Sequence, residues 1–125
     1  MHEPPFAKRF VGFAGPCALI ERNELILDCV EVATGLRMWS TLLREHETIC
    51  PLAQGVLGVD GGRVRRLDGN GKQRWRVDLP DDARLAGDCD ALPGTVVLTS
   101  GSDERDEHAV HVLDVTTGKL TAVAL

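Results

Sequence analysis

The sequence predicts an all-β fold made of about three four-stranded antiparallel units in tandem, and three observations carry that expectation. A turn motif of an acidic residue, then Thr or Asn, then Gly recurs at residues 31–35, 68–71 and 114–118. Residues after the turn alternate between apolar and polar, as they do in a strand with one buried face. No long segment repeats its apolar residues at the helical period.

The bulk numbers fit one modest domain. The chain has 125 residues, 43% hydrophobic and 26% charged, which suits a globular protein with a real core. It is taken as a single segment, residues 1–125, with approximate repeats 6–43, 44–79 and 80–125. A net charge of −5 argues against nucleic acid or an anionic membrane as partner. The start "MHEPPFAKRF" lacks a secretory pattern and no apolar run reaches membrane-spanning length, so a cytoplasmic location is expected.

Each unit is justified in order. The first takes a short strand around Phe10–Phe13, then "CALI" and "LILD" joined by the polar "ERNE". The turn at Glu31, Thr34 and Gly35 follows, and "LRMWSTLL" closes the unit with Trp39 four residues after Gly35. The second begins around Thr48–Leu52. It pairs "GVLGV" with "VRRLD" across Asp60-Gly61-Gly62, a strong hairpin signal. Its turn holds Asp68, Asn70 and Gly71; in "KQRWRVDL", Trp75, Val77 and Leu79 share one face. The third begins around Arg84–Gly87 and pairs "TVVLTS" with "AVHVLD" over a longer loop. Its turn holds Asp114, Thr117 and Gly118, and four residues after that glycine stands Ala122 rather than Trp. In all three turns the acid and the Thr or Asn supply local acceptors, and Gly supplies a positive φ.

The run "CVEVATGLRMW", with "LDGNGKQRW" one residue shorter and "VLDVTTGKLTA" lacking the Trp, resembles the repeat of the pyrroloquinoline-quinone-like β-propellers. That group includes quinoprotein alcohol dehydrogenases and outer-membrane assembly lipoproteins. The resemblance covers nearly the whole chain and implies about three blades of a PQQ-like propeller. It makes Glu31, Gly35, Trp39, Asp68, Gly71, Trp75, Asp114 and Gly118 structural repeat residues, with the Trp packing between neighbouring blades. Three blades do not close a propeller, and repeat arrays need polar caps at open ends. Completion by dimerisation, or by chain or partner lying outside these residues, is therefore expected.

Candidate chemistry is sparse. The acidic stretch Asp103, Glu104, Asp106, Glu107 and His108 is read as a solvated hairpin tip that could contact a partner; calcium spacing is absent. His108 and His111 fall on opposite faces of a strand, so joint metal ligation is not expected; one is read as exposed and the other as partly buried. Arg63, Arg65, Arg66, Lys72, Arg74 and Arg76 crowd one hairpin and are expected to pair with Asp60, Asp68 and Asp78. His46 between Glu45 and Glu47 reads as a polar linker. Without a secretory leader, Cys17, Cys29, Cys50 and Cys89 are read as reduced, buried thiols, although the repeat-equivalent Cys50 and Cys89 could pair across adjacent blades.

These observations point to a non-catalytic propeller-type interaction or scaffold module with a protein partner, no cofactor and no catalytic or metal site. The alternative is a fragment of a quinoprotein dehydrogenase. The resemblance implies that such an enzyme holds quinone and calcium, with adjacent disulfide-bonded cysteines, and no two cysteines here are adjacent.

Overall fold

The computed structural model describes residues 8–60, 62–79, 84–86, 89, 94–102 and 107–123. Among them every regular element is a strand, and the strands form three four-stranded antiparallel sheets, as expected. The first sheet holds β1 (Lys8–Ala14), β2 (Cys17–Arg22), β3 (Ile26–Glu31) and β4 (Arg37–Leu42). The second holds β5 (Thr48–Leu52), β6 (Gly55–Val59), β7 (Arg63–Leu67) and β8 (Gln73–Asp78). The third holds β9 (Arg84–Leu85), β10 (Thr95–Ser102), β11 (Glu107–Asp114) and β12 (Leu120–Val123). Each sheet is a meander in chain order, the outcome of short loops joining successive strands.

Two apolar layers lie between the sheets. Ala14, Cys17, Leu19, Leu27 and Cys29 of the first sheet meet Val56 and Leu67 of the second. Cys50, Leu57, Val59 and Val64 of the second meet Val96, Leu98, Leu113 and Val115 of the third. Burying each such Leu or Val stabilises the fold by about 1.5–3 kcal/mol relative to leaving it exposed. The middle sheet therefore uses both faces, and β6 is buried along its whole length.

Two disulfides are present, Cys17–Cys29 and Cys50–Cys89, with Cα separations of 5.4 and 5.6 Å. The expectation of reduced thiols is thereby corrected. Antiparallel pairing of β2 with β3 brings Cys17 and Cys29 together, and stacking the second sheet on the third brings Cys50 to Cys89.

The fourth strands differ in one respect. β4 and β8 each carry a β-bulge just after the turn, so that Trp39 stands opposite Cys29 and Trp75 opposite Arg66. β12 pairs with β11 without a bulge, and Thr121 stands opposite Val112. The position in the third sheet that matches Trp39 and Trp75 in register is thus Thr121. Ala122, which matches them by sequence offset, pairs with His111 on the other face.

Candidate functional site: the open face of the first sheet

The sheets interlock by one repeated contact. Trp39 Nε1 donates to the Gly69 carbonyl at 3.0 Å, and its ring lies over Gly71 so closely that a Cβ there would meet Cγ and Cδ2 at 2.7 Å. Trp75 Nε1 donates to the Val115 carbonyl at 3.0 Å, and its ring covers Gly118 in the same way, again at 2.7 Å. Arg66 Nη1 donates to that same Val115 carbonyl at 2.9 Å. Each tryptophan therefore reaches from the fourth strand of its own sheet onto the outer turn of the next. The indole offers a wide apolar ring and one N–H, which suits a bare glycine Cα beside a free carbonyl.

The turns that receive these rings are built by their acids. Asp68 Oδ1 accepts from the backbone N–H of Asn70 at 2.8 Å and of Lys72 at 3.1 Å. Asp114 Oδ1 accepts from Thr116 at 2.8 Å and Thr117 at 3.0 Å. These backbone donors hold both carboxyls below the ordinary 3.8: Lys72 then Asn70 for Asp68, Thr117 foremost for Asp114. Glu31 has one more methylene, and its carboxylate instead accepts from the Thr34 hydroxyl at 2.8 Å. The backbone nonetheless follows that of the Asp114 turn, with the glycine N–H bonded back four residues to the carbonyl of the acid, whereas the Asp68 turn is one residue shorter. Gly35 has φ +72°, against +79° at Gly71 and +77° at Gly118, and its N–H donates to the Glu31 carbonyl at 2.7 Å.

Among the described residues the first sheet's turn receives no ring: beyond Gly35 and its chain neighbours, none of their atoms lies within 4 Å of where a Cβ on Gly35 would stand. Val32, the counterpart of Val115, is 62% exposed, whereas Val115 is 7% exposed. The sheet behind this turn is open as well. Phe10 pairs with Ile20, Ile20 with Asp28 and Asp28 with Ser40, and these four share the face away from the second sheet. Phe13 and Leu42 belong to that face and are 62% and 73% exposed, with the rings of Phe10 and Phe13 packed edge to face at 5.0 Å. An apolar face of this kind is unusual on a monomer surface.

One polar group sits at the same register on the equivalent face of every sheet, three residues before the turn acid. In the first it is Asp28, buried, taking hydrogen bonds from Arg22 and Ser40. Burial pushes its carboxyl up, but the Arg22 and Ser40 hydrogen bonds and the charges of Arg22 and Arg37 together hold it below 3.8. In the second it is Arg65, which forms a two-point pair with Glu47 at 2.7 and 2.8 Å and also donates to the Leu42 carbonyl of the first sheet at 2.8 Å. In the third it is His111, buried, with Nε2 3.0 Å from Ser100 Oγ. Asp28 was not singled out from sequence, and Glu47 was read only as part of a polar linker. The shared three-residue offset is the signal that marks the register.

The remaining sequence candidates fall as follows. Asp103, Glu104 and Asp106 lie outside the described residues; Glu107 and His108 begin β11. His108 and His111 stand three apart along that strand, and His111 is more buried than expected. The basic hairpin does not pair chiefly with Asp60, Asp68 and Asp78. Arg65 takes Glu47, Arg66 takes a carbonyl, Arg74 stands 3.9 Å from Asp68, and Asp60 caps the backbone N–H of Gly62 and Arg63. The expectation failed because sheet stacking offers Arg65 and Arg66 partners across the interface that cross-strand pairing within one hairpin does not include. His46 is exposed beside Glu45 at 3.5 Å. Glu47 is 1% exposed, so its part of the linker is an interface rather than a solvated link. A cleft of about 1000 Å³ lies along Lys8, Arg9, Glu21, Arg44 and Glu45, with charges of both signs. Among the described residues no group of three or more His, Cys, Asp or Glu is placed to hold a metal ion. The two disulfides join residues 12 and 39 positions apart, unlike the adjacent pair the dehydrogenase resemblance implies.

Three stacked four-stranded meanders, locked by outer-strand tryptophans, define a segment of a β-propeller. Among solved structures the chain is similar in fold to BamB from Moraxella catarrhalis, with a TM-score of 0.53 and 16% identity over 88% of this chain. It spans 38% of that chain. No family model and no curated protein matches the sequence.

Proposed function

We propose that this chain is a non-catalytic propeller scaffold segment whose open first-sheet face is covered by a protein partner. One observation carries the reading: Phe10, Phe13 and Leu42 stand exposed on the face whose counterparts in the second and third sheets are packed against a neighbouring sheet. A charged or nucleic-acid partner fits this face poorly, because its centre is the internally paired Asp28–Arg22–Ser40 cluster. Two disulfides support work in an oxidising compartment rather than the cytoplasm expected from sequence.

In-cell hydroxyl-radical footprinting tests this reading. Phe10 and Phe13, exposed in the isolated chain, are expected to be labelled in purified protein and protected in cells. Equal labelling in both would end the proposal. The solution mass of the pure chain then separates a second copy from a different partner as the cover.

A further inference from the structure

Each sheet ends on an outer strand, β4, β8 or β12, whose far edge pairs with no other strand among the described residues. Such an edge offers a row of backbone N–H and C=O groups to any extended chain, and folds protect it with charges, prolines or bulges. Two of the three edges are protected in this way. β4 begins on Arg37 and is kinked by a bulge at Met38. β8 is kinked by a bulge at Arg74 and also carries Arg76 and Asp78. β12, Leu120-Thr121-Ala122-Val123, has no charge, no proline and no bulge, and it pairs with β11 in unbroken register. Thr121, Ala122 and Val123 are all exposed.

We propose that β12 is a homodimerisation edge. It pairs antiparallel with β12 of a second copy about a two-fold axis through Ala122, so that the two third sheets join into one continuous sheet. This surface is not the open face of the first sheet, and the proposal does not depend on what covers that face.

The residues of the third sheet select a second copy as the occupant. A two-fold axis normal to the sheet keeps like faces together, and centred on Ala122 it sets Thr121 opposite Val123 of the second copy. On the face away from the second sheet, Val97 stands opposite Val112, and Val112 opposite Thr121. On that same face Thr99 stands opposite Val110, and Val110 opposite Val123. In the dimer one row runs into the other: Val97, Val112 and Thr121, then Val123, Val110 and Thr99 of the second copy. Every member is β-branched, the class that packs best on a pleated surface and in cross-strand pairs. On the other face Ala122 meets only its own copy, and its small side chain lets the two backbones approach. Charge separates this edge from its counterpart in the second sheet. The same symmetry applied to β8 about Trp75 would set Arg74 against Arg76 twice over, a like-charge repulsion that β12 does not carry.

Sedimentation equilibrium of the pure chain tests the edge, with a concentration-dependent doubling of mass expected. Ala122 is exposed, so A122K and A122E change little within one chain while setting two like charges face to face across the axis. Each is expected to dimerise about fivefold more weakly than wild type. An equal mixture of the two should recover the dimer, because Lys then meets Glu. A wild-type chain that stays monomeric overturns the proposal. So does a doubled mass that both variants leave unchanged, which would assign the association to another surface such as the open first-sheet face. A mixture that associates no more tightly than its components also overturns it. Should both variants fail to fold, amide hydrogen exchange of the wild-type chain decides. Protection at Thr121–Val123 that falls on dilution supports the edge, and exchange there that ignores concentration sinks it.

Discussion

Replacing the three turn glycines by alanine measures the interlock with the backbone cost held constant. Gly35, Gly71 and Gly118 share a left-handed φ between +72° and +79°, so each Ala pays the same strain, about 1–2 kcal/mol. The packing cost differs. At Gly71 and Gly118 the new methyl would stand 2.7 Å from the Trp39 and Trp75 rings, about 0.7 Å inside the 3.4 Å at which ordinary contact begins. Among the described residues nothing beyond its chain neighbours lies within 4 Å at Gly35. Forcing an indole aside in a packed interface costs about 1–3 kcal/mol more. The expected losses are therefore about 1–2 kcal/mol for G35A and about 2–5 kcal/mol for G71A and G118A. Urea unfolding followed by circular dichroism and tryptophan fluorescence reads these values from midpoint shifts at constant slope. Equal losses at all three positions would refute the claim that the indoles, rather than the turns alone, hold the sheets together.

Three further outcomes are expected. Reducing the disulfides should destabilise the chain, by about 4 kcal/mol for Cys50–Cys89 and about 3 kcal/mol for Cys17–Cys29 on the loop-entropy scale, given separations of 39 and 12; unfolding of C50A/C89A against C17A/C29A checks the order. Glu47→Gln should cost about 3–5 kcal/mol, because it leaves the largely buried Arg65 without its charge partner. Arg65→Met in that background should recover part of the loss in a double-mutant cycle. Asp28, Asp68 and Asp114 are held below 3.8 in the fold, so their contribution is present above about pH 4 and lost as pH falls through their folded values. Asp28→Asn should accordingly lower the urea midpoint at pH 7 and flatten its decline on acidification.

The turns and strand alternation made the fold legible, because both are local. Asp68 with Gly71 and Asp114 with Gly118 specify a turn within five residues, and "KQRWRVDL" declares its buried face by alternation alone. What stays hidden is set between sheets. The partners of Arg65 and Arg66 come from Glu47, Leu42 and Val115, residues that no spacing within their hairpin indicates. The Cys17–Cys29 bridge depends on the β2–β3 register, which a one-residue slip would destroy. The missing Trp was visible as Ala122, yet the register position is Thr121, because whether a strand bulges is decided by pairing and not by its own sequence pattern.

The direction of the interlock also explains why the open end is apolar. A sheet that receives an indole presents a glycine turn, a carbonyl acceptor and an apolar face together, and the first sheet carries a glycine turn at Gly35 with exposed Phe10, Phe13 and Leu42 behind it. The Asp28–Arg22–Ser40 cluster makes this face more than a leftover. At the same register Arg65 reaches across to the Leu42 carbonyl of the preceding sheet, whereas Asp28 is satisfied entirely within its own sheet. A face whose central charge needs no external partner can stand uncovered without an unpaired buried ion, and can be covered without stripping one of its partner. The first sheet thus keeps its central charge paired whether or not its face is covered, whereas Arg65 draws one of its hydrogen bonds from the sheet packed against it.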